Sequence, residues 1–244
     1  PYTNDYQYQK GNRIGARYMY QFFRYYDADT PRLYEEKFGK PFPQQLVNLK
    51  DGDAVYVDLD ENGVIDGNDM TRRLGNTDDP QFLLGVNAGF SWNNFELNTQ
   101  WTGAWGVSRM IGEAFRMPFV SRTDYTTGGL LQYHVDNTWD PAHPSQDAKY
   151  PRATWTNGQI NNYQNSALYE QDSRYLRLKT LMLGYNFRSP FLSQLGIKRM
   201  QLALSGYNLL TLTPFIWGDP ETVASTDPTY PLQRTYTISL RFNF

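Results

Sequence analysis

From Gln233 to Phe244 apolar and polar residues alternate along the chain. Tyr236, Ile238, Leu240, Phe242 and Phe244 share one parity, and Thr235, Thr237, Ser239, Arg241 and Asn243 share the other. A period of two over about ten residues predicts a strand, at a length that crosses a bilayer when tilted. A charge on the polar face suits a wet lumen better than a dry core. The pattern recurs upstream. In Lys198–Leu210, Met200, Leu202, Leu204 and Gly206 alternate with Gln201, Ala203, Ser205 and Tyr207. Arg174–Phe187 puts Leu181, Leu183, Tyr185 and Phe187 on one face but Leu176 and Leu178 on the opposite parity. That slip near Lys179–Thr180 predicts a bulge, or a strand that leaves the membrane there. Gln81–Ser91 aligns Phe82, Leu84, Val86, Ala88 and Phe90, and Asn94–Trp105 aligns Phe95, Leu97, Thr99 and Trp101. Trp92-Asn93-Asn94 between them reads as a tight hairpin turn. Ile14–Tyr25, with Tyr18, Tyr20 and Phe22 in register, is a fainter sixth candidate.

The connections alternate in length. Counting back from the last strand, they hold about 20 residues (Thr211–Pro231), about 10 (Arg188–Ile197), nearly 70 (Gly106–Ser173), about two (Trp92–Asn93) and about 55 (Tyr26–Pro80). Transmembrane barrels join short periplasmic turns to long extracellular loops. With a periplasmic C-terminus, every long link here falls outside and every short one inside. The expected fold is all-β: residues 1–244 form the C-terminal part of one transmembrane antiparallel β-barrel domain. Long extracellular loops are expected at about 26–80, 106–173 and 211–232. About six strands cannot close a barrel, so further strands must complete it. The competing architecture is a secreted, soluble β-sandwich that binds glycans and is stabilised by calcium.

Composition sharpens this picture. Aromatic residues make up 16% of the chain, led by 19 Tyr, at a mean hydropathy of −0.65. Aromatic girdles account for such a share in a polar-average chain. No apolar run is long enough for a transmembrane helix. The chain begins at Pro1 without an initiator Met or a signal peptide, and reads as a mature or truncated piece. A net charge of −2 without a basic block argues against nucleic acid as a partner. Cysteine is absent, so no disulfide framework supplies stability.

The sharpest local motif is Asp58-Leu-Asp60-Glu-Asn62-Gly63-Val64-Ile65-Asp66-Gly-Asn-Asp69. Its oxygen side chains stand at positions 1, 3, 5, 9 and 12 of an EF-hand-type calcium loop, with Gly at 6 and an apolar residue at 8. Calcium takes six to eight hard oxygen ligands, and alternate residues of a tight loop point inward to supply them. Asp58, Asp60, Asn62, Asp66 and Asp69 are the side-chain candidates, and Val64 would offer its backbone carbonyl. Asp69 replaces the longer Glu usual at position 12, which weakens bidentate capture. A structural calcium ion is the cofactor expected. His134 and His143, without cysteine, make no convincing zinc set. No nucleophile elbow, phosphate loop or other catalytic signature is present, so no enzyme activity is expected. Within the long aromatic-rich link, Trp139, Trp155 and Tyr163 are candidates for stacking on sugars or gripping peptides.

The order of these motifs resembles the C-terminal part of the SusC/RagA-like TonB-dependent transporters. The resemblance is carried by Asp53–Asp69 (DAVYVDLDENGVIDGND), Gly75–Asn76, Gln81–Gly106, Asn137–Pro151 (NTWDPAHPSQDAKYP), Ser173–Tyr185 (SRYLRLKTLMLGY), Gly206–Thr213 (GYNLLTLT), Asp219–Glu221 (DPE) and Tyr230–Phe244 (YPLQRTYTISLRFNF). It runs from about residue 10 to the end. It implies a barrel of about 22 strands with a plugged lumen, the plug and the remaining strands being contributed by an N-terminal part. It further implies TonB-driven import across the Gram-negative outer membrane, a SusD-like surface lipoprotein acting as a lid, and oligosaccharide or peptide cargo. Membrane lipid and lipopolysaccharide would surround the wall.

Overall fold

A computed structural model describes residues 4–117, 121–122, 125–126, 130–154, 161–222 and 230–244. The chain divides into two compact units. One holds Asp79–Val107, Asp172–Val223 and Thr229–Phe244; the other is built mainly from Pro1–Asp78 and Ser108–Gln171.

The first unit is a five-stranded antiparallel sheet. Its long strands are β1 (Phe82–Trp92), β2 (Phe95–Trp105), β3 (Tyr175–Phe187), β4 (Arg199–Leu212) and β5 (Thr235–Asn243). Across the sheet their order is β5-β4-β3-β2-β1. The register turns the period-two pattern into one continuous face. Phe90 lies opposite Leu97, Leu97 opposite Leu183, Leu183 opposite Leu204 and Leu204 opposite Ile238. Most of these side chains are exposed, including Phe90 at 63% and Ile238 at 75%. A water-soluble fold buries such a face; lipid is the solvent that accepts it. A sandwich would need a second sheet over it. The other sheets among the described residues have only two strands each, which disfavours the sandwich.

The bulge expected at Lys179–Thr180 is present. The register of β3 shifts between Leu178 and Thr180 against both neighbours. β4 answers with Asn208 in the left-handed region (φ 54). The shift corrects the parity: Leu176 and Leu178 face Gly103 and Trp101, while Leu181 and Leu183 face Thr99 and Leu97, all on the apolar side. The strand stays in the wall. Aromatic rings mark the end where the short turns lie. Phe95 packs edge-on against Tyr185, with centroids 4.8 Å apart, and Tyr185 against Phe187 at the same distance. Asn93, at φ 52, makes the tight β1–β2 turn, and a short helix, Pro190–Gln194, makes the β3–β4 turn.

The second unit corrects the sixth strand candidate. Ile14–Tyr25 does not join the long sheet. It forms two short strands, Met19–Tyr20 paired with Met70–Thr71 and Phe22–Tyr25 paired with Ala54–Tyr56. Alternation over a few residues cannot tell a membrane strand from a short strand that packs on both sides, and Met19 and Tyr25 are fully buried. The unit has its own core of Tyr20, Ala54, Tyr56 and Ile65, with Tyr20 and Tyr56 stacked at 5.0 Å. Helix α1 (Thr30–Phe38) starts with Pro in its first turn and stops at Gly39, which sits at φ 69. Distant segments are tied together by buried polar groups. Asp53 is fully buried and accepts from Arg152 Nε (2.6 Å), Asn162 Nδ2 (2.8 Å) and the Lys50 amide (2.8 Å). The side-chain amide of Gln146 bonds both the N–H (2.9 Å) and the carbonyl (3.0 Å) of Tyr25, as a neighbouring strand would. The long links therefore fold into a structured body.

Candidate functional site

The Asp58–Asp69 loop is built from its own backbone and carboxylates. Gly63, at φ 86, makes the sharp turn. Asp58 accepts the N–H groups of Glu61 (2.6 Å) and Gly63 (2.7 Å). Asp69 accepts the N–H groups of Leu59 (2.7 Å) and Asp66 (2.8 Å), closing the loop end to end. Two main-chain bonds with Gln44 fix the outer side: Gln44 N–H to the Gly63 carbonyl (2.9 Å) and Ile65 N–H to the Gln44 carbonyl (2.7 Å). Ile65, at position 8, is 2% exposed and inserts into the aromatic core. The apolar anchor read from the sequence thus welds the loop to the unit.

Of the predicted ligands, three converge. Asp58, Asp60 and Asp69 each offer a carboxylate oxygen, and these oxygens lie within 4.8 Å of one another. The other two side chains are turned to local work. Asn62 Oδ1 accepts from Val64 N–H (2.8 Å), and Asp66 caps the turn that follows by accepting from Asn68 N–H (2.7 Å). Burial makes the charged form of Asp69 costly and pushes its carboxyl up to about 6, against the lowering effect of its backbone hydrogen bonds. Asp60 is also raised, by burial first and by the Asp58 and Asp66 charges after it. An all-oxygen set of like charges, one of them fully buried, fits a hard divalent cation and offers nothing to a soft one.

The aromatic candidates fare differently. Trp139 is 7% exposed and lies against Gly52, where any Cβ would overlap the indole. Its ring is a packing element, not an open platform. Tyr163 is half-buried, with its hydroxyl 3.5 Å from Thr154 Oγ1. Trp155 lies outside the described residues. His143 is solvated beside Asp140, whereas His134 is buried with Nε2 2.7 Å from the Phe115 carbonyl.

Sequence reading missed the chemistry of the sheet's polar face. Near the short turns, Glu96 accepts from Asn186 Nδ2 (2.7 Å), Arg199 (3.0 Å) and Gln201 Nε2 (2.9 Å). Three adjacent strands are thereby cross-linked by side chains. Near the opposite end, Arg177 is buried among carboxylates. The available signal was parity: charged residues occupy the polar phase of otherwise apolar strands, and an ionisable group at membrane depth calls for a named partner.

A long antiparallel sheet with one lipid-compatible face and one polar, cross-linked face is a segment of a transmembrane β-barrel wall. Sequence relatives agree. The chain is 27% identical to TonB-dependent receptor P3 of Formosa agariphila over 97% of its length, and 27% identical to TonB-dependent receptor P26 of the same organism over 79%. It spans 23% and 20% of those proteins, about a quarter to a fifth of their length. The fold superposes on solved structures of the RagAB peptide importer. In the "open-open" state the TM-score is 0.65 at 19% identity, covering 98% of this chain and 24% of that one. In the "closed-closed" state it is 0.63 at 19% identity, covering 94% and 23%. No protein-family model matches the chain. Over nearly its whole length the chain is similar to one part of a SusC/RagA-like TonB-dependent transporter, and its fold is that of a piece of such a barrel.

Proposed function

We propose that this chain supplies part of the wall and outer mouth of a TonB-dependent importer in the outer membrane of a Gram-negative bacterium. The observation that carries the reading is the uncovered apolar face, aligned across five strands, on a sheet whose two edges are open. The matches to TonB-dependent receptors support it independently. In this reading the short turns and the C-terminus are periplasmic, and the unit built from the long links is extracellular. A SusD-like lipoprotein closes over that side. Cargo, a peptide or an oligosaccharide, is captured beneath the lid and passes the polar face when TonB, acting through a plug, opens the lumen. The RagAB importers are described as peptide importers, which favours peptide as the first cargo to try. Calcium held by Asp58, Asp60 and Asp69 stabilises the extracellular unit and takes no part in transport chemistry.

The test is direct. Cells producing the transporter that contains this chain should carry it in the outer-membrane fraction, soluble only in detergent, and should take up a peptide or glycan in a TonB-dependent way. Recovery as a water-soluble monomer would falsify the reading. Co-purification of a surface lipoprotein in detergent tests the lid.

A further inference from the structure

Arg177 stands on the polar face of β3, flanked by Leu176 and Leu178 of the apolar face. Only 1% of its side chain is exposed. A guanidinium so placed needs a partner for each of its donor groups. Nε donates to Thr211 Oγ1 at 3.0 Å. One terminal nitrogen donates to Glu221 Oε2 at 2.5 Å. The other forks onto both Asp219 oxygens at 2.8 and 2.9 Å. The Tyr175 hydroxyl donates to the second Glu221 oxygen at 2.5 Å.

Asp219 and Glu221 come from the segment that follows β4, which the sequence presents as a loop. The segment is folded back. Thr213 Oγ1 donates to the Arg174 carbonyl (2.8 Å) and accepts from the Phe215 N–H (3.1 Å), while Phe215 is 5% exposed. Asp219 accepts the Glu221 N–H at 2.8 Å, so Asp219-Pro220-Glu221 presents both carboxylates to one arginine.

We propose that Arg177 is a positioning residue for transport: it holds residues 213–222 as a strap against the polar, channel-side face of the wall. The strap is then part of the passage lining and shifts only when the arginine releases it. The pairing accounts for the geometry in two ways. A guanidinium engages Thr211, Glu221 and Asp219 with three separate nitrogens in one plane, as a lysine could not. Two carboxylates also converge on one buried guanidinium, so removing that residue takes the ionic partner from both at once. The consequence for transport rests on the import reading above; the strap geometry does not.

The experiment uses the transporter in the outer membrane of intact cells. A cysteine placed by Phe215→Cys reports the strap through its reaction with a membrane-impermeant maleimide. With Arg177 present, labelling is slow. With Arg177→Met it speeds up on the order of a hundredfold, the size expected when a buried charge pair is broken. Arg177→Lys falls between. Adding Asp219→Asn and Glu221→Gln to Arg177→Met changes labelling little, because the three groups act as one unit. Barrel assembly is checked by heat-modifiable migration; if Arg177→Met fails it, the Asp219→Asn/Glu221→Gln pair releases the strap instead. Uptake by the assembled variants should change in its maximal rate and be partly restored in Arg177→Lys. Unchanged labelling in an assembled variant overturns the strap. Faster labelling with unchanged uptake overturns its role in transport. A parent protein that imports no peptide or glycan sinks the import reading, and the labelling still decides the strap.

Discussion

Ile65 shows how one apolar residue serves a polar loop. Its side chain sits among Tyr20, Ala54 and Tyr56, while the residues before and after it carry the carboxylates. Ile65→Ala should cost about 2–5 kcal/mol, the range for a large-to-small change in a packed core. It should also weaken calcium binding without touching a ligand. Titration calorimetry and unfolding of the same variant check both halves. Asp69 carries the opposite expectation. Its ionised form is costly because it is buried, and a divalent cation offsets that cost. Chelating calcium should therefore loosen Leu59–Met70, read as faster amide exchange there. Asp69→Asn should lose that calcium response at a cost of about 1–3 kcal/mol, because its side-chain NH2 cannot accept the buried Asp66 N–H. A loop whose exchange ignores both calcium and chelator would sink the metal assignment.

The strands make the next scale testable. Leu204 lies on the apolar face and Ser205 on the polar one, one residue apart near the middle of β4. Leu204→Arg should cost about 2–4 kcal/mol as a lipid-facing charge at the midplane, while Ser205→Arg is tolerated. The yield of assembled, heat-modifiable barrel separates the two. Lys179 is the extra residue of the bulge, so deleting it leaves Leu176 and Leu178 in phase with Leu181 and Leu183 and should be tolerated. Deleting Met182 instead throws Leu181 and every β3 residue before it out of phase and should abolish assembly. These elements were legible in the sequence because the strand period is short and local. Five long strands and the Lys179 slip could be read from side-chain parity alone. Ile14–Tyr25 was misplaced because its alternation is equally local, and its burial depends on Ala54–Tyr56 and Met70–Thr71. The Asp58–Asp69 loop was legible to its anchor at Ile65, but not to which three carboxylates converge. The Arg177 strap and the Asp53–Arg152–Asn162 ties join residues 42 to 109 positions apart, and no periodicity encodes such pairs.

At the scale of the whole molecule, the open edges decide what the chain can do. β1 and β5 each have one neighbour in the sheet. About half the residues of an edge strand direct their N–H and C=O away from the sheet. In lipid each unmet group costs several kcal/mol, so two such edges cost tens. Five strands also fall short of the roughly eight that can curl into a closed wall. The apolar face demands a membrane, and the edges forbid entering one unpartnered. Both hold together only if other strands pair with β1 and β5. Reconstituted alone with vesicles, the 244-residue chain should therefore bind to them without forming a protease-resistant inserted monomer. In the transporter proposed above, cysteines on the polar side of β5, such as Ser239→Cys, should form disulfides with a neighbouring strand other than the four described here. A monomer of this chain that inserts, resists protease and conducts would show that the edges pair with each other, and the wall reading would have to yield to a small closed barrel.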